Sequence, residues 1–372
     1  MFASYLSREK EYPTLLITSA DGTPEWTSPL EAFQLCVGLC DFTCCQRNHI
    51  FGDKVVPCDR DITRIILKTL IDAKVARLFK SGKMKLARLF FSTGNWWTRP
   101  TGIYSCVSFG KLKKMLNWDD EDGTTKPWID RDGISILAYA VVLSEIVIVK
   151  SILKLYANRK TDLLAWRFPK EGVIETGTLG HSDCLYLSMG FASPEIVIAL
   201  LDAGANVETT DIIGNDPLMI ACVLNRLKNV KTWFTRYDAW NVNRRSKVFG
   251  ATALNLAIAH GPRKLEVVRY LVRDRKASLQ IRNKSGYSAL ALACSNVDAD
   301  PKVVRYLLEQ SEIDVNNQIA PQTFTLKVLY SVARFAVRDA LFLSLSLSLY
   351  LSIYLSIFNS FHNTSSYLEL FS

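Results

Sequence analysis

The sequence predicts an all-α protein: a solenoid of stacked helix pairs with a helical N-terminal flank. Three observations lead there. A glycine-anchored segment recurs, Gly214-Asn215-Asp216-Pro217-Leu218-Met219-Ile220-Ala221-Cys222 returning as Gly250-Ala251-Thr252-Ala253-Leu254-Asn255-Leu256-Ala257-Ile258 and as Gly286-Tyr287-Ser288-Ala289-Leu290-Ala291-Leu292-Ala293-Cys294, with the glycines 36 residues apart both times. Each copy is followed by a second apolar pattern at helical spacing. And 372 residues, 49% hydrophobic and 22% charged, are too apolar for disorder and too many for one compact core. A helix pair of about 33 residues cannot bury its apolar stripe alone, whereas stacked neighbours share one continuous core.

Residues 1–58 show no clear pattern and carry four Lys/Arg against seven acids. Residues 59–118 reverse the balance, with 13 Lys/Arg against three acids, so this block holds the whole of the chain's net charge of +9. Helical periodicity over 62–79 and 84–91 makes it the expected basic helical flank, and residues 104–116 read as one eroded copy of the repeat. Arg88, Arg99, Lys111, Lys113 and Lys114 stand beside Phe90, Phe91, Trp96, Trp97 and Tyr104, the residue mixture that holds single-stranded nucleic acid. No nucleic-acid motif accompanies them, so the reading is a solvated basic face over buried aromatics. An acidic protein or an anionic membrane surface fits the charge as well.

The array itself is expected over 119–318. Its anchoring leucines are Leu137, Leu185, Leu218, Leu254 and Leu290, at steps of 48, 33, 36 and 36. Small residues Ala140, Ser188, Ala221, Ala257 and Ala293 share one position of the first helices, where they allow close approach, and Cys222 and Cys294 share another as small hydrophobes. The second helices read Ile148-Val149 with Ile152-Leu153, Ile196-Val197 with Leu200-Leu201, Val230 with Trp233-Phe234, Val267-Val268 with Leu271-Val272, and Val303-Val304 with Leu307-Leu308. Pro194 and Pro301 open two of them, and Gly204 closes one. The step of 48 places an insertion at about 156–180, containing Trp166, Phe168 and Pro169, as a long loop or a small packed unit.

These residues resemble the ankyrin repeat, with its signature Asp-x-x-Gly-x-Thr-Pro-Leu-His-x-Ala, second helix and Gly-Ala-x-x-Asn turn, over residues 129–317. The fold class is therefore an ankyrin-repeat solenoid. The departures are definite: Thr survives as Thr252, Ser135 and Ser288, Asp183 and Asp216 replace it elsewhere, Pro217 is the sole Pro, and the His is absent. Thr, Ser and Asp all cap helices, so the mechanics survive; losing the His predicts weaker bonding between neighbouring turns. The resemblance implies protein–protein recognition, without catalytic residues or cofactors. It places partner contacts at the two residues before each turn glycine and the one after: Arg131, Asp132 and Ile134; Ile212, Ile213 and Asn215; Val248, Phe249 and Ala251; Lys284, Ser285 and Tyr287. Ile212, Ile213, Val248, Phe249 and Tyr287 then form an apolar strip, unless the insertion or a C-terminal continuation covers it.

Residues 319–339 have the character of a helical continuation, and 340–372 form a low-complexity Leu/Ser tail. Within the tail, 341–358 is long and uncharged enough for a membrane span, with Arg334 and Arg338 on its flank. However, Tyr350-Leu351-Ser352-Ile353 followed by Tyr354-Leu355-Ser356-Ile357 is what a TATC repeat encodes, and Leu-Ser-Leu-Ser is what a CT repeat encodes. The tail reads first as translated simple-sequence DNA, a gene-model artefact, and second as a membrane anchor with the repeats on the cytoplasmic side.

No phosphate-loop, His-Glu-x-x-His or Gly-x-Ser-x-Gly motif is present, and the four histidines are scattered. The cluster Cys36, Cys40, Cys44, Cys45, His49 and Cys58 lacks the two separated pairs of a common zinc site and reads as apolar packing with Leu35, Val37 and Leu39, so no metal ligand is expected. Nine cysteines without a signal-like N-terminus indicate a reducing compartment. The expectation is a non-enzymatic cytoplasmic adaptor with a protein partner and without nucleic acid. The alternatives are a membrane-tethered repeat protein anchored by 341–358, and a non-catalytic fragment of a larger repeat-containing enzyme.

Overall fold

The computed structural model of the chain describes residues 14–16, 25–27, 43–46, 48–97, 108–118, 126–170, 180–259, 264–295 and 300–313. The expected continuation at 319–339 and the tail at 340–372 lie outside the described residues. Two short antiparallel hairpins come first, β1 (Thr14–Leu16) with β2 (Glu25–Thr27), and β3 (Ile50–Phe51) with β4 (Lys54–Val55). The second closes through Gly52 at φ 60°. A single helical turn, Thr43–Gln46, lies between the hairpins.

Helices α1 (Asp59–Lys80) and α2 (Met84–Trp97) make an antiparallel-connected pair joined through Gly82, and α3 (Phe109–Met115) follows. Five helix pairs come next: α4 (Ile136–Leu143) with α5 (Ile146–Leu155), α7 (Cys184–Phe191) with α8 (Pro194–Asp202), α9 (Pro217–Val223) with α10 (Leu227–Arg236), α11 (Ala253–Ala259) with α12 (Leu265–Arg269), and α13 (Ala289–Ser295) with α14 (Pro301–Leu308). Helix α6 (Lys160–Leu164) belongs to the insertion. The inner layer stacks as α2, α4, α7, α9, α11, α13, and the outer layer as α3, α5, α8, α10, α12, α14. Residues 84–115 thus supply a helix to each layer, and Phe109–Met115 stands in the outer one. The eroded copy read at 104–116 is therefore the second half of a pair whose inner helix is α2.

Each inner helix of the five pairs starts for the same local reason. Ser135, Asp183, Asp216, Thr252 and Ser288 accept hydrogen bonds from the backbone N–H groups of Leu137, Tyr186, Met219, Asn255 and Ala291, at 2.8 to 3.3 Å. Each bond satisfies a donor that the helix cannot use internally. Asn255 returns the favour at 3.1 Å from the Thr252 N–H, a reciprocal capping box. Pro194, Pro217 and Pro301 occupy first-turn positions, and Gly204 sits at φ 91° after α8.

Ala140, Ser188, Ala221, Ala257 and Ala293 are all buried, which lets the inner helices lie close. Leu137, Leu185, Leu218 and Leu254 are buried between them, and Leu290 is half-buried at the end of the described stack. Cys222 is buried as expected, but Cys294 is exposed, because no described element covers α13 beyond it. In the third pair Trp233 replaces an aliphatic residue and packs edge-on to Trp240 at 5.0 Å.

Bonding between repeats does not depend on the missing His. The Tyr186 hydroxyl donates to Asp211 of the next turn at 2.7 Å, and Asn229 donates to the carbonyls of Met189 and Ala192 at 2.9 and 3.0 Å. Ser278 N–H donates to Asn243 at 2.9 Å, and Lys264 Nζ bonds the Val223 carbonyl. Side chains at other positions have taken over the bridging that the sequence alone made look weakened.

Candidate binding surface

The turns that precede the inner helices project as fingers, and one acceptor organises each. Asp130 Oδ1 accepts from the N–H groups of Asp132 and Ile134 at 3.0 and 2.8 Å. Asp211 Oδ1 accepts from Ile213 and Asn215 at 3.0 and 2.9 Å. Ser246 Oγ accepts from Ala251 at 3.1 Å, and Asn283 Oδ1 from Tyr287 at 3.0 Å. Gly133, Gly214, Gly250 and Gly286 turn the chain at positive φ. Gly214 is needed twice over, since its φ is 79° and a Cβ there would lie 2.4 Å from Lys247 Cβ of the next finger.

Neighbouring fingers are stitched through their backbones. Ile212 N–H donates to the Gly180 carbonyl at 3.0 Å, Val248 N–H to that of Ile213 at 3.0 Å, and Lys284 N–H to that of Phe249 at 2.8 Å. The result is a row in which Ile212, Val248 and Phe249 are 49%, 38% and 48% exposed, with Ile213 half-buried beside them. Lys247, which lies outside the positions carried over from the family, is exposed at the same tips, and Lys284 Nζ donates to its carbonyl at 2.6 Å. Arg245 reaches across to the Arg282 carbonyl at 2.7 Å. The strip is apolar along its crest and cationic at its side.

Of the twelve contact residues expected, three face inward. Ile134, Asn215 and Ala251 are buried. The reason is the turn itself: the N–H of the residue after the glycine bonds back to Asp130, Asp211 or Ser246, which points that side chain into the stack. Tyr287 makes the same backbone bond and is half-buried, as are Lys284 and Ser285. Arg131 and Asp132 are exposed on the first finger, with the second finger standing between them and Ile212.

That second finger is built by the insertion. Phe168 N–H donates to the Ser182 carbonyl at 2.7 Å, and His181 N–H donates to that of Phe168 at 3.0 Å. Trp166 and Phe168 are buried, and the Trp166 indole donates to the Gly133 carbonyl at 2.8 Å. Residues 156–170 are therefore a packed unit, and 171–179, which join its two sides, lie outside the described residues.

The basic flank offers no nucleic-acid platform where it is described. Arg88, Phe90 and Phe91 are all buried, so neither the cation nor the rings face a ligand. Lys111 and Lys114 are exposed, Arg99 and Tyr104 lie outside the described residues, and the side chains of Trp96 and Trp97 are likewise outside the description. Among the described residues no helix is long and apolar enough to cross a membrane. The stretch 341–358 lies outside them.

Two helix layers, a repeat of about three dozen residues and bonded projecting turns define a helical-repeat solenoid. Residues 232–319 match the family model for ankyrin repeats in 3 copies, so this span is an ankyrin-repeat array, a kind of protein–protein interaction module, and the helical stack as a whole has that fold class. The pairs α4–α5 and α7–α8 lie N-terminal to the matched span and continue the same layers. No curated protein matches the chain.

Proposed function

We propose that the chain is a non-enzymatic adaptor that captures a protein partner on its finger row. The carrying observation is the run Ile212, Ile213, Val248 and Phe249 on hydrogen-bonded tips, with three of the four side chains exposed. Exposed apolar side chains on a rigid backbone row gain from desolvation without an ordering cost, which is how interface anchors act. Lys247 and Arg245 beside them favour a partner segment whose apolar residues are flanked by acids. No cofactor enters this reading, and a cytoplasmic setting is the one in which such an adaptor with free thiols would work. Arg131, Asp132, Lys284 and Ser285 are its outlying contacts. A membrane-tethered variant of the same function would use 341–358, and alkaline carbonate extraction of cell membranes separates the two.

The test is Phe249→Asp and Ile212→Asp in the full chain. Both variants should lose captured partners in pull-downs while the melting temperature moves by less than about 2 °C, as for a surface substitution. Retained capture by both variants refutes the assignment of the face.

A further inference from the structure

The N-terminal region contains a thiol cluster for which the adaptor function has no use. Cys45 Sγ lies 3.7 Å from Cys58 Sγ, thirteen residues away in the chain, and 4.0 Å from Cys44 Sγ. All three sulfurs lie within 4.8 Å of one another. Cys44 is buried, and Cys45 and Cys58 are half-buried, so the cluster has a wall and an opening. We propose that Cys44, Cys45 and Cys58 form a zinc site that clamps the Thr43–Gln46 turn to the start of α1.

The distances carry the proposal. Zinc–thiolate bonds of about 2.3 Å in a tetrahedron put neighbouring sulfurs about 3.8 Å apart. The Cys45–Cys58 and Cys44–Cys45 separations straddle that figure and are nearly twice the roughly 2 Å of a disulfide. Apolar packing, the reading from sequence, does not require three sulfurs to converge on one point. The spacing does not show this convergence, because Cys58 is brought to Cys44 and Cys45 by the hairpin between them, not by a close pair in the sequence.

A backbone donor and a helix start stand beside two of the sulfurs. Asp59 N–H donates to Cys44 Sγ at 3.3 Å, a bond that orients the sulfur toward its neighbours. Cys58 is the residue preceding the first turn of the 22-residue α1, where the helix dipole favours negative charge. His49 is held to the same turn by its N–H, which donates to the Cys44 carbonyl at 2.7 Å. Among the described residues no fourth His, Cys, Asp or Glu joins the trio, so these residues supply three thiolates to the site.

The experiment uses the full chain, reduced and stripped with a chelator, then titrated with zinc chloride or cobalt chloride. The expected result is one ion per chain, a cobalt spectrum with thiolate charge-transfer bands, and protection of Cys44, Cys45 and Cys58 from alkylation, read by peptide mass mapping. Cys45→Ser with Cys58→Ser should abolish binding, and Cys222→Ser should leave it intact. Mapping of the unsubstituted chain keeps the test decisive even if the double variant fails to fold. Equal alkylation of the three thiols with and without zinc, or a Cys45–Cys58 disulfide forming while zinc is present, overturns the proposal.

Discussion

Arg88 and Asp130, 42 residues apart in the chain, form a buried ion pair, with Nη1 2.9 Å from Oδ2 and side chains 7% and 2% exposed. Arg88 also donates through Nε to the Leu116 carbonyl at 2.9 Å and through Nη2 to that of Asn117 at 2.8 Å. Asp130 accepts from the Tyr139 hydroxyl at 2.8 Å as well as from its own finger. One guanidinium thus ties α2, the end of α3 and the first finger together. A charge that counted toward a basic surface in the sequence is a structural bolt.

Breaking that bolt from one side leaves a carboxylate stranded in the core, which is the expensive way to lose a buried pair. Arg88→Ala should cost about 3–5 kcal/mol of array stability, read from the urea midpoint. Adding Asp130→Asn, which keeps an acceptor for the Ile134 N–H but removes the charge, should recover part of the loss. Additive losses in the double variant would show that the two side chains do not interact.

Asp216 predicts how stability follows pH. Burial pushes its carboxyl up to about 6, against the Met219 N–H bond and the Arg244 guanidinium. The native state then holds a proton that the unfolded chain, with an ordinary carboxyl, has already released. The contribution to stability is complete below the unfolded pKa and is lost as pH rises through about 6. Burial raises Asp130, Asp183 and Asp211 in the same direction. The melting temperature should therefore rise between pH 7 and pH 5, and Asp216→Asn, still a competent helix cap, should flatten that slope. A melting temperature that falls over this interval equally in both proteins contradicts the assignment.

Gly214 and Gly204 separate two costs that usually occur together. Both have positive φ, 79° and 91°, but a Cβ on Gly204 meets nothing within 4 Å, whereas one on Gly214 meets the Lys247 backbone. Gly204→Ala should cost about 1–2 kcal/mol, the left-handed penalty alone. Gly214→Ala should cost more, about 3 kcal/mol, because the next finger must also move. Chemical denaturation of both variants checks the difference, and equal losses would mean that the fingers yield without resistance.

Much of the array was legible because its determinants are local. The caps Ser135, Asp183, Asp216, Thr252 and Ser288 act within three residues of themselves, and the small buried residues and outer-helix pairs show as spacings of three, four and 36. The candidate surface was half legible. Ile212, Val248 and Phe249 are exposed where the family pattern puts contacts, yet Ile134, Asn215 and Ala251 point inward because the bond of each N–H to a side chain four or five residues back decides their direction. Nor did composition reveal that residues 84–115 furnish one more helix for each layer, since α2 lacks the glycine-anchored segment that marks the other inner helices.

By itself, then, the amino-acid order determined the helix pairs, their starts and their repeat length, since capping and periodic burial are settled by neighbours along the chain. Only the tertiary structure decided that Arg88 is internal, that Trp166 and Phe168 build the second finger, and that the Cys58 sulfur meets those of Cys44 and Cys45. Each of those outcomes depends on which surfaces remain uncovered once the layers have stacked, and no local spacing encodes that.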